Sequence, residues 1–283
     1  MSPASPTRLF ALLGKPVAGN PTQEMLEAGF LSAGLDARYV SLEVEPVGLR
    51  DAVVGIRALG LEGAHVTVPH KVAVVPLLDR LTAAAATAGA VNCVKREGTQ
   101  LVGDNTDGKG FLASLRPVLD PAGKFAVIIG AGGAARAVAT ELALAGVDRI
   151  LVVNRSLEHA IEVAAAVGGS TGCVCSAEAL AGPWRVPAEA DMVVQATTVG
   201  MGDVEARLPL LWSAPRRRAV AAEVVIAPPE TAFLRDAAAN GYLTLSGLGM
   251  LVEQAAIGFR WWTGVEPDRA AMQAALEREL ALA

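Results

Sequence analysis

The chain has 283 residues, 52% of them hydrophobic, 4% aromatic and 19% charged, with a formal net charge of -5 at pH 7. That length suits two domains of ordinary size, and a composition rich in Ala, Val and Leu suits a tightly packed α/β protein. A negative balance without a long basic block argues against a nucleic-acid partner, and the absence of an apolar run of about 18 residues argues against a membrane span.

MSPASPTR at the start lacks the apolar segment of a signal peptide, so a cytoplasmic protein is expected, working on a small molecule as a monomer or homodimer. Leu9 to Leu13 reads as a first strand running into the turn GKPVAGNP. Asn20 suits an N-cap, Pro21 a first helical position and Gln23 a capping box, which predicts a helix from Pro21 to Ala33. Tyr39 to Val44 is a second strand, Val47 to Leu59 a second helix, and Ala64 to Val68 a third strand that leads into VPHK. Strands alternating with helices predict a mostly parallel, layered domain. Thr67 and Lys71 then fall where a parallel sheet presents ligand-binding groups. Further on, AVNCV (Ala90 to Val94) and GDNTDG (Gly103 to Gly108) place Asn92, Asn105 and Asp107 in short polar punctuation, where Asn, Asp and Gly are also ordinary turn formers.

Lys124 to Arg136, KFAVIIGAGGAAR, is the most informative stretch. Phe125 to Ile129 is a short buried strand, and Gly130, Ala131, Gly132, Gly133 and Ala134 follow at once as a tight turn opening a helix. The first glycine makes the turn, the second lets backbone amides approach a pyrophosphate, and Ala135 lets helix pack on strand. Amides and dipole at the helix start then hold the anion. Val138, Leu142 and Ala145 share an apolar face, Gly146 ends the helix, and Arg149 to Val153 closes a βαβ unit. At the end of that second strand, where an NAD enzyme commonly places an acid on the ribose, stand Asn154, Arg155 and Ser156. The arginine favours a 2′-phosphate, hence NADP, with NAD possible.

Asp191 to Gln195 is another buried strand, and Thr197 and Thr198 after it could reach ribose or phosphate. Arg216 to Arg218 reads as a solvated loop before the strand Ala219 to Val225. Thr231 to Ala239 is helical and Tyr242 to Leu245 a last strand. In SGLGMLVEQAAIGFRWW, Met250, Leu251, Gln254, Ala255 and Gly258 fall near one helix face. Trp261 and Trp262 are expected to close over a core edge, and Pro267 to start a terminal helix. The three cysteines, Cys93, Cys173 and Cys175, read as small apolar residues rather than a disulfide or zinc framework. Of the three histidines, His65 and His70 flank the VTVP run, and His159 reads as a solvated helix residue.

VTVPHK, AVNCV, GDNTDG, GAGGAAR, the NRS after the second nucleotide-domain strand and GLGMLVEQA occur in the order and spacing of the shikimate dehydrogenase family, a resemblance that runs from Leu9 to Leu280. It implies an α/β enzyme of two domains. An N-terminal substrate domain, 1–105, is completed by C-terminal helices, 247–283, around an inserted Rossmann-type domain, 106–246. It also implies NADP-dependent hydride transfer between a ring hydroxyl and a ring ketone in aromatic amino acid biosynthesis, without a metal. By position, Lys71 and Asp107 match the catalytic pair, and Thr67, Asn92 and Gln254 match ligands of substrate hydroxyls. Gly247 and Met250 join the glycine turn, Asn154, Arg155, Ser156, Thr197 and Thr198 on the cofactor side. Lysine and carboxylate together can move the proton that must accompany the hydride.

Departures from the resemblance bear on the substrate. The family's first turn usually carries a His-Ser-x-Ser-Pro run that binds the substrate carboxylate, whereas Val17 to Pro21 reads VAGNP. His65 stands where the family usually has Asn, making it a candidate substrate contact that titrates near neutrality. Ile226 stands for a Tyr, Glu223 for an Asp and Gln195 for an Asn. The expected substrate is therefore shikimate or a related polyhydroxylated ring. A quinate-like, amino-substituted or carboxylate-free ring is one alternative, and a non-catalytic cofactor-binding sensor is another. If a carboxylate is bound, amides at the start of the Pro21 helix or a protonated His65 would have to replace the serines.

Overall fold

A computed structural model describes residues 7–282, and the chain divides into two compact units, Met1–Thr106 with Gln254–Ala283, and Asp107–Glu253. The first unit opens with strand β1 (Arg8–Gly14), helix α1 (Thr22–Ser32), β2 (Ala37–Glu43), α2 (Leu49–Ala58) and β3 (Gly63–Val66). It continues with α3 (His70–Ala73), β4 (Arg80–Leu81), α4 (Ala83–Ala88), β5 (Cys93–Glu97) and β6 (Gln100–Asp104). The second contains α5 (Asp107–Leu115), β7 (Phe125–Ile129), α6 (Gly133–Leu144), β8 (Arg149–Asn154), α7 (Leu157–Thr171) and β9 (Val174–Ala179). After these come β10 (Trp184–Arg185), β11 (Met192–Gln195), β12 (Leu210–Leu211), β13 (Val220–Glu223), α8 (Ala232–Ala239) and β14 (Leu243–Leu245). Helix α9 (Gly247–Thr263) carries the chain from the second unit back to the first, where α10 (Arg269–Leu282) ends it.

In the first unit the sheet order is β2-β1-β3-β5-β6-β4. Its β1 runs parallel to β2 and β3, and β4 to β6, while β5 is antiparallel to both β3 and β6, so the sheet is mostly parallel with one reversed strand. The cause is local: Gly98, with φ +63°, turns the chain straight back between β5 and β6, and no helix intervenes to carry it across the sheet. Period-two alternation puts Ala11, Leu13, Ala64 and Val66 on the face that packs with Val53 and Ile56 of α2. Phe10 faces the other way and stacks on Phe30 of α1 and Trp262 of α9 at centroid distances of 5.1 and 5.0 Å. Trp262 therefore lies in the core, 5% exposed, rather than at its edge. A Cβ added at Gly63 would sit 2.3 Å from the Trp262 indole nitrogen, so only glycine there lets the ring lie against β3.

Three local expectations at helix starts change. The side-chain Oε1 of Gln23 accepts the Ser41 N–H at 3.0 Å instead of completing a capping box. A short 3-10 turn, Pro46–Gly48, precedes α2. The terminal helix starts after Asp268, whose carboxylate accepts the N–H groups of Ala270 and Ala271, while Pro267 lies just outside it.

All the pairings in the six-stranded sheet of the second unit are parallel, in the order β14-β13-β11-β7-β8-β9. Numbered by their order along the chain, those strands read 6-5-4-1-2-3, the doubly wound arrangement, whose ligands bind where the order reverses. Here that point lies between β7 and β11. Every residue of β7 is buried. Ala126 and Ile128 join one core layer while Phe125, Val127 and Ile129 join the other.

Candidate functional site

The second unit's site grows from the end of β7. Gly130 has φ +118°, and a Cβ there would meet the Ala196 carbonyl oxygen at 2.7 Å, so the turn that re-aims the chain into α6 needs glycine twice over. At Gly132 and Gly133 an added Cβ would meet no protein atom within 4 Å. These two glycines are not required by packing of the chain on itself, and they leave the start of α6 open to close approach by a ligand. A recess of about 410 Å³ lies there, lined by Ala131, Gly132, Asn154, Arg155, Ser156 and His159. The Asn154 amide donates to the Ser156 carbonyl at 3.0 Å, and Ser156 Oγ caps α7 by accepting the His159 N–H. Sequence reasoning left His159 as a solvated helix residue. Its place is explained by that cap: the third residue beyond Ser156 comes round to the same recess.

Of the two loop threonines, Thr198 is exposed, while the Thr197 hydroxyl is committed to its own loop. It donates to Gln195 Oε1 at 2.9 Å and accepts the Val199 N–H at 3.1 Å. Gln195 is fully buried and also gives its amide to the Val199 carbonyl, so it shapes the loop from beneath. Gly247 allows α9 to begin against β13, since a Cβ there would lie 2.4 Å from the Val225 carbonyl oxygen, and Met250 is 8% exposed within the core. Glu223, buried at the end of β13, accepts the Thr231 hydroxyl at 2.6 Å, and burial pushes its carboxyl up to about 7. Asp107 is buried at the first position of α5. Gly108 follows it because a Cβ there would strike the Ala137 carbonyl at 2.2 Å, so α5 packs directly on α6.

In the first unit, polar groups converge at the end of the sheet formed by the last residues of β1, β3 and β6. Lys15 N–H bonds the Val68 carbonyl at 2.8 Å, Val66 N–H the Asn92 carbonyl at 2.8 Å, and Val91 N–H the Lys71 carbonyl at 2.8 Å. Thr67 and Lys71, both partly buried, lie on the turn and short helix after β3. His70 is buried and structural, its Nε2–H donating to the Val44 carbonyl at 2.7 Å. Asn92 and Gln254 meet directly, with Asn92 Nδ2 donating to Gln254 Oε1 at 3.1 Å. Between them is Thr106, which sequence reasoning missed. Its N–H donates to Asn92 Oδ1 at 2.7 Å, and its hydroxyl accepts from Asn92 Nδ2 at 3.0 Å and donates to Gln254 Oε1 at 3.2 Å. Thr106 is fully buried and fixes which way both amides turn. Asn105 is anchored as a turn residue, its amide on the Ala90 carbonyl at 3.1 Å.

His65 differs from its expected role. Its ring is 3% exposed beneath α9, with Nδ1 2.9 Å from the Tyr39 hydroxyl and the ring centroid 4.6 Å from that of Trp262. Nε2 has no hydrogen-bond partner, and a Cβ on Gly258 would come within 2.9 Å of it. Burial first, and then the charge of Lys71, push the imidazole pKa down to about 3. A protonated His65 is thus unavailable near neutral pH as a carboxylate ligand or a general acid.

A glycine turn at the switch point of a doubly wound sheet, opening on a helix start and a recess with an arginine at its rim, defines a dinucleotide-binding α/β protein. Comparison with known proteins narrows the class. Residues 12–94 match the shikimate dehydrogenase substrate binding domain, 116–202 the shikimate / quinate 5-dehydrogenase family, and 247–277 the shikimate 5'-dehydrogenase C-terminal domain. The shikimate dehydrogenase (NADP(+)) of Geobacter metallireducens is 42% identical over 284 residues, covering 96% of this chain and 98% of that protein. Among solved structures, 5-ketofructose reductase of Gluconobacter sp. strain CHM43 is 46% identical with a TM-score of 0.91, covering 97% of this chain and 99% of that one. Shikimate 5-dehydrogenase from Thermus thermophilus, in complex with NADP(H) and shikimate, is 34% identical with a TM-score of 0.84, over 96% and 100% of the two chains. The chain belongs to the shikimate dehydrogenase family, and it is an oxidoreductase. Among the described residues no helix is long and apolar enough to cross a membrane.

Proposed function

We propose that this protein catalyses reversible NADP-dependent hydride transfer between a ring hydroxyl and a ring ketone, on shikimate/3-dehydroshikimate or a related polyhydroxylated ring. In balanced form, ring alcohol and NADP+ give ring ketone, NADPH and a proton. NADP bound in the second unit would supply or take up the hydride. The chain's part is to hold the reactants and manage the proton: Lys71 donates it to, or takes it from, the reacting oxygen, and Asp107 orients the lysine and binds a neighbouring hydroxyl. Thr67, Asn92 and Gln254 hold the other ring hydroxyls. The observation that carries the reading is the Asn92–Thr106–Gln254 cluster, which presents oriented neutral amides beside the turn that bears Thr67 and Lys71. A non-catalytic sensor would have no use for the lysine and carboxylate pair. Consumption of NADPH by the purified protein with 3-dehydroshikimate or a cyclic keto-polyol, followed by the loss of nicotinamide absorbance, tests it. Among the solved structures a reductase named for a keto-sugar is 46% identical and the Thermus thermophilus shikimate 5-dehydrogenase 34%, which widens the ring class beyond shikimate.

The recess fits NADP because Arg155, just after the end of β8, and His159 of α7 line it and would hold a ribose phosphate, while Gly132 and the start of α6 would receive a pyrophosphate. Arg155→Ala is expected to weaken NADPH binding about 10- to 100-fold, the worth of a charge-assisted hydrogen bond, and to leave NADH within about twofold. Calorimetric titration with both cofactors checks this, and an equal loss for both would remove Arg155 from phosphate recognition.

Thr106 is a positioning residue in this scheme. Thr106→Val keeps the volume but leaves Asn92 and Gln254 to reorient, so KM for the ring is expected to rise about tenfold while kcat changes much less. Thr106→Ser should restore KM, and steady-state kinetics on the three forms separate this role from a general loss of stability.

A further inference from the structure

The polar end of the first unit's sheet is chemically one-sided. Asn92, Gln254 and Thr67 offer amides and a hydroxyl, the buried Thr106 orients the two amides, and the charged side chains nearby that might receive an anion are engaged or enclosed. The first turn, Lys15 to Asn20, packs against Thr67 and Val68 so closely that a Cβ at Gly14 would lie 2.2 Å from Thr67 Cγ2, and it carries no hydroxyl side chain. Its one cation, Lys15, hydrogen-bonds Glu45 and lies 3.9 Å from Glu43. The start of α1 offers only neutral backbone donors: Pro21 has no N–H, the Thr22 N–H donates to Asn20 Oδ1 at 3.0 Å and the Met25 N–H is taken by the Pro21 carbonyl, which leaves the N–H groups of Gln23 and Glu24. Glu24 adds a negative charge in that first turn. His65 is enclosed by Tyr39, Trp262 and Gly258 and stays neutral over the working range of pH. Lys71 is then the cation assigned to this end, and the proposed reaction uses it at the reacting oxygen.

A carboxylate brought here would lose its water without gaining charged donors, whereas ring hydroxyls exchange water for amides and hydroxyls at little net cost. We infer that the ring this site takes carries no carboxylate: the substrate is a neutral polyhydroxylated ketone, a keto-sugar or keto-cyclitol, recognised through its hydroxyls. The inference rests on the proposed function, which places ring hydroxyls on Thr67, Asn92 and Gln254. It limits that function to the uncharged members of the ring class.

Two measurements on the full chain test it. With NADPH, kcat/KM is compared for 5-ketofructose and 3-dehydroshikimate. With NADP+, it is compared for shikimate and its methyl ester, which masks the charge and leaves the ring unchanged. The neutral ketone is expected to exceed 3-dehydroshikimate by about a hundredfold or more, and the ester to match or exceed the acid. Preference for 3-dehydroshikimate, or a penalty of about tenfold or more for the ester, would overturn the neutral-ring inference while leaving the oxidoreductase reading intact. If neither ketone consumed NADPH, the proposed function itself would fall, and the inference with it. The Lys71→Ala variant, run beside each assay, assigns the measured turnover to this site.

Discussion

Lys71→Ala is expected to lower kcat by about two to four powers of ten, with a melting temperature close to that of the parent protein. Hydride cannot leave a carbinol carbon, or reach a ketone carbon, unless a proton leaves or reaches the oxygen, so removing the group that moves it blocks turnover in both directions. The fold around it should survive, because the backbone of α3 is held independently of the lysine side chain. Val91 N–H bonds the Lys71 carbonyl, and the buried ring of His70 ties the helix to Val44. Lys71→Arg separates charge from proton transfer, since a guanidinium keeps its proton at any working pH. The arginine variant is expected to recover ring binding while remaining far below the parent in kcat. Turnover near the parent level in the alanine variant would sink the assignment. A second readout is spectroscopic: burial still holds His65 down, but loss of the neighbouring cation in Lys71→Ala should raise its titration, visible by NMR.

How far the sequence carries depends on whether the physics is local. The βαβ unit around Gly130 was legible because its reasons lie within a few residues: an apolar run of five, a glycine where φ is positive, small residues where helix meets strand. The first three strands of the first unit were legible as elements, whereas β5 and β6 form an antiparallel hairpin turning at Gly98 and Thr99 in a polar stretch, and nothing in the apolar periodicity announces it. Thr106 was invisible for a different reason. Threonine in a short turn-like run is commonplace, and its role comes from partners 14 and 148 residues away. Gly63, Gly108 and Gly258 likewise carry no sign of their function until the tertiary neighbour that replaces each missing Cβ is known. His65 illustrates the reverse error. A histidine at an expected pocket position suggested a titrating contact, but alternation along β3 turns it beneath α9 and burial keeps it neutral.

Trp262→Ala is expected to destabilise the first unit by about 3 to 5 kcal/mol, the cost of truncating a large aromatic in a packed core. The indole does three things at once. It fills the space left by the missing side chain of Gly63, stacks on Phe10 while touching the rings of Tyr39 and His65, and donates its N–H to the Val94 carbonyl at 2.9 Å. Neighbouring rings can relax only partly into the void, because Phe10 and Tyr39 are fixed on strands. The Val94 carbonyl loses its indole donor, and water entering the void is the means of satisfying it. That same water would reach Nε2 of His65, which has no partner in the parent protein. The imidazole pKa should therefore climb from about 3 toward its ordinary value, since desolvation is the larger cause of its depression. Denaturant unfolding and histidine NMR on one variant read both effects. A loss under about 1 kcal/mol with an unchanged His65 titration would show that the ring is not what seals this core. A large loss with His65 still neutral at about pH 5 would show that Tyr39 and α9 keep the histidine dry without the tryptophan.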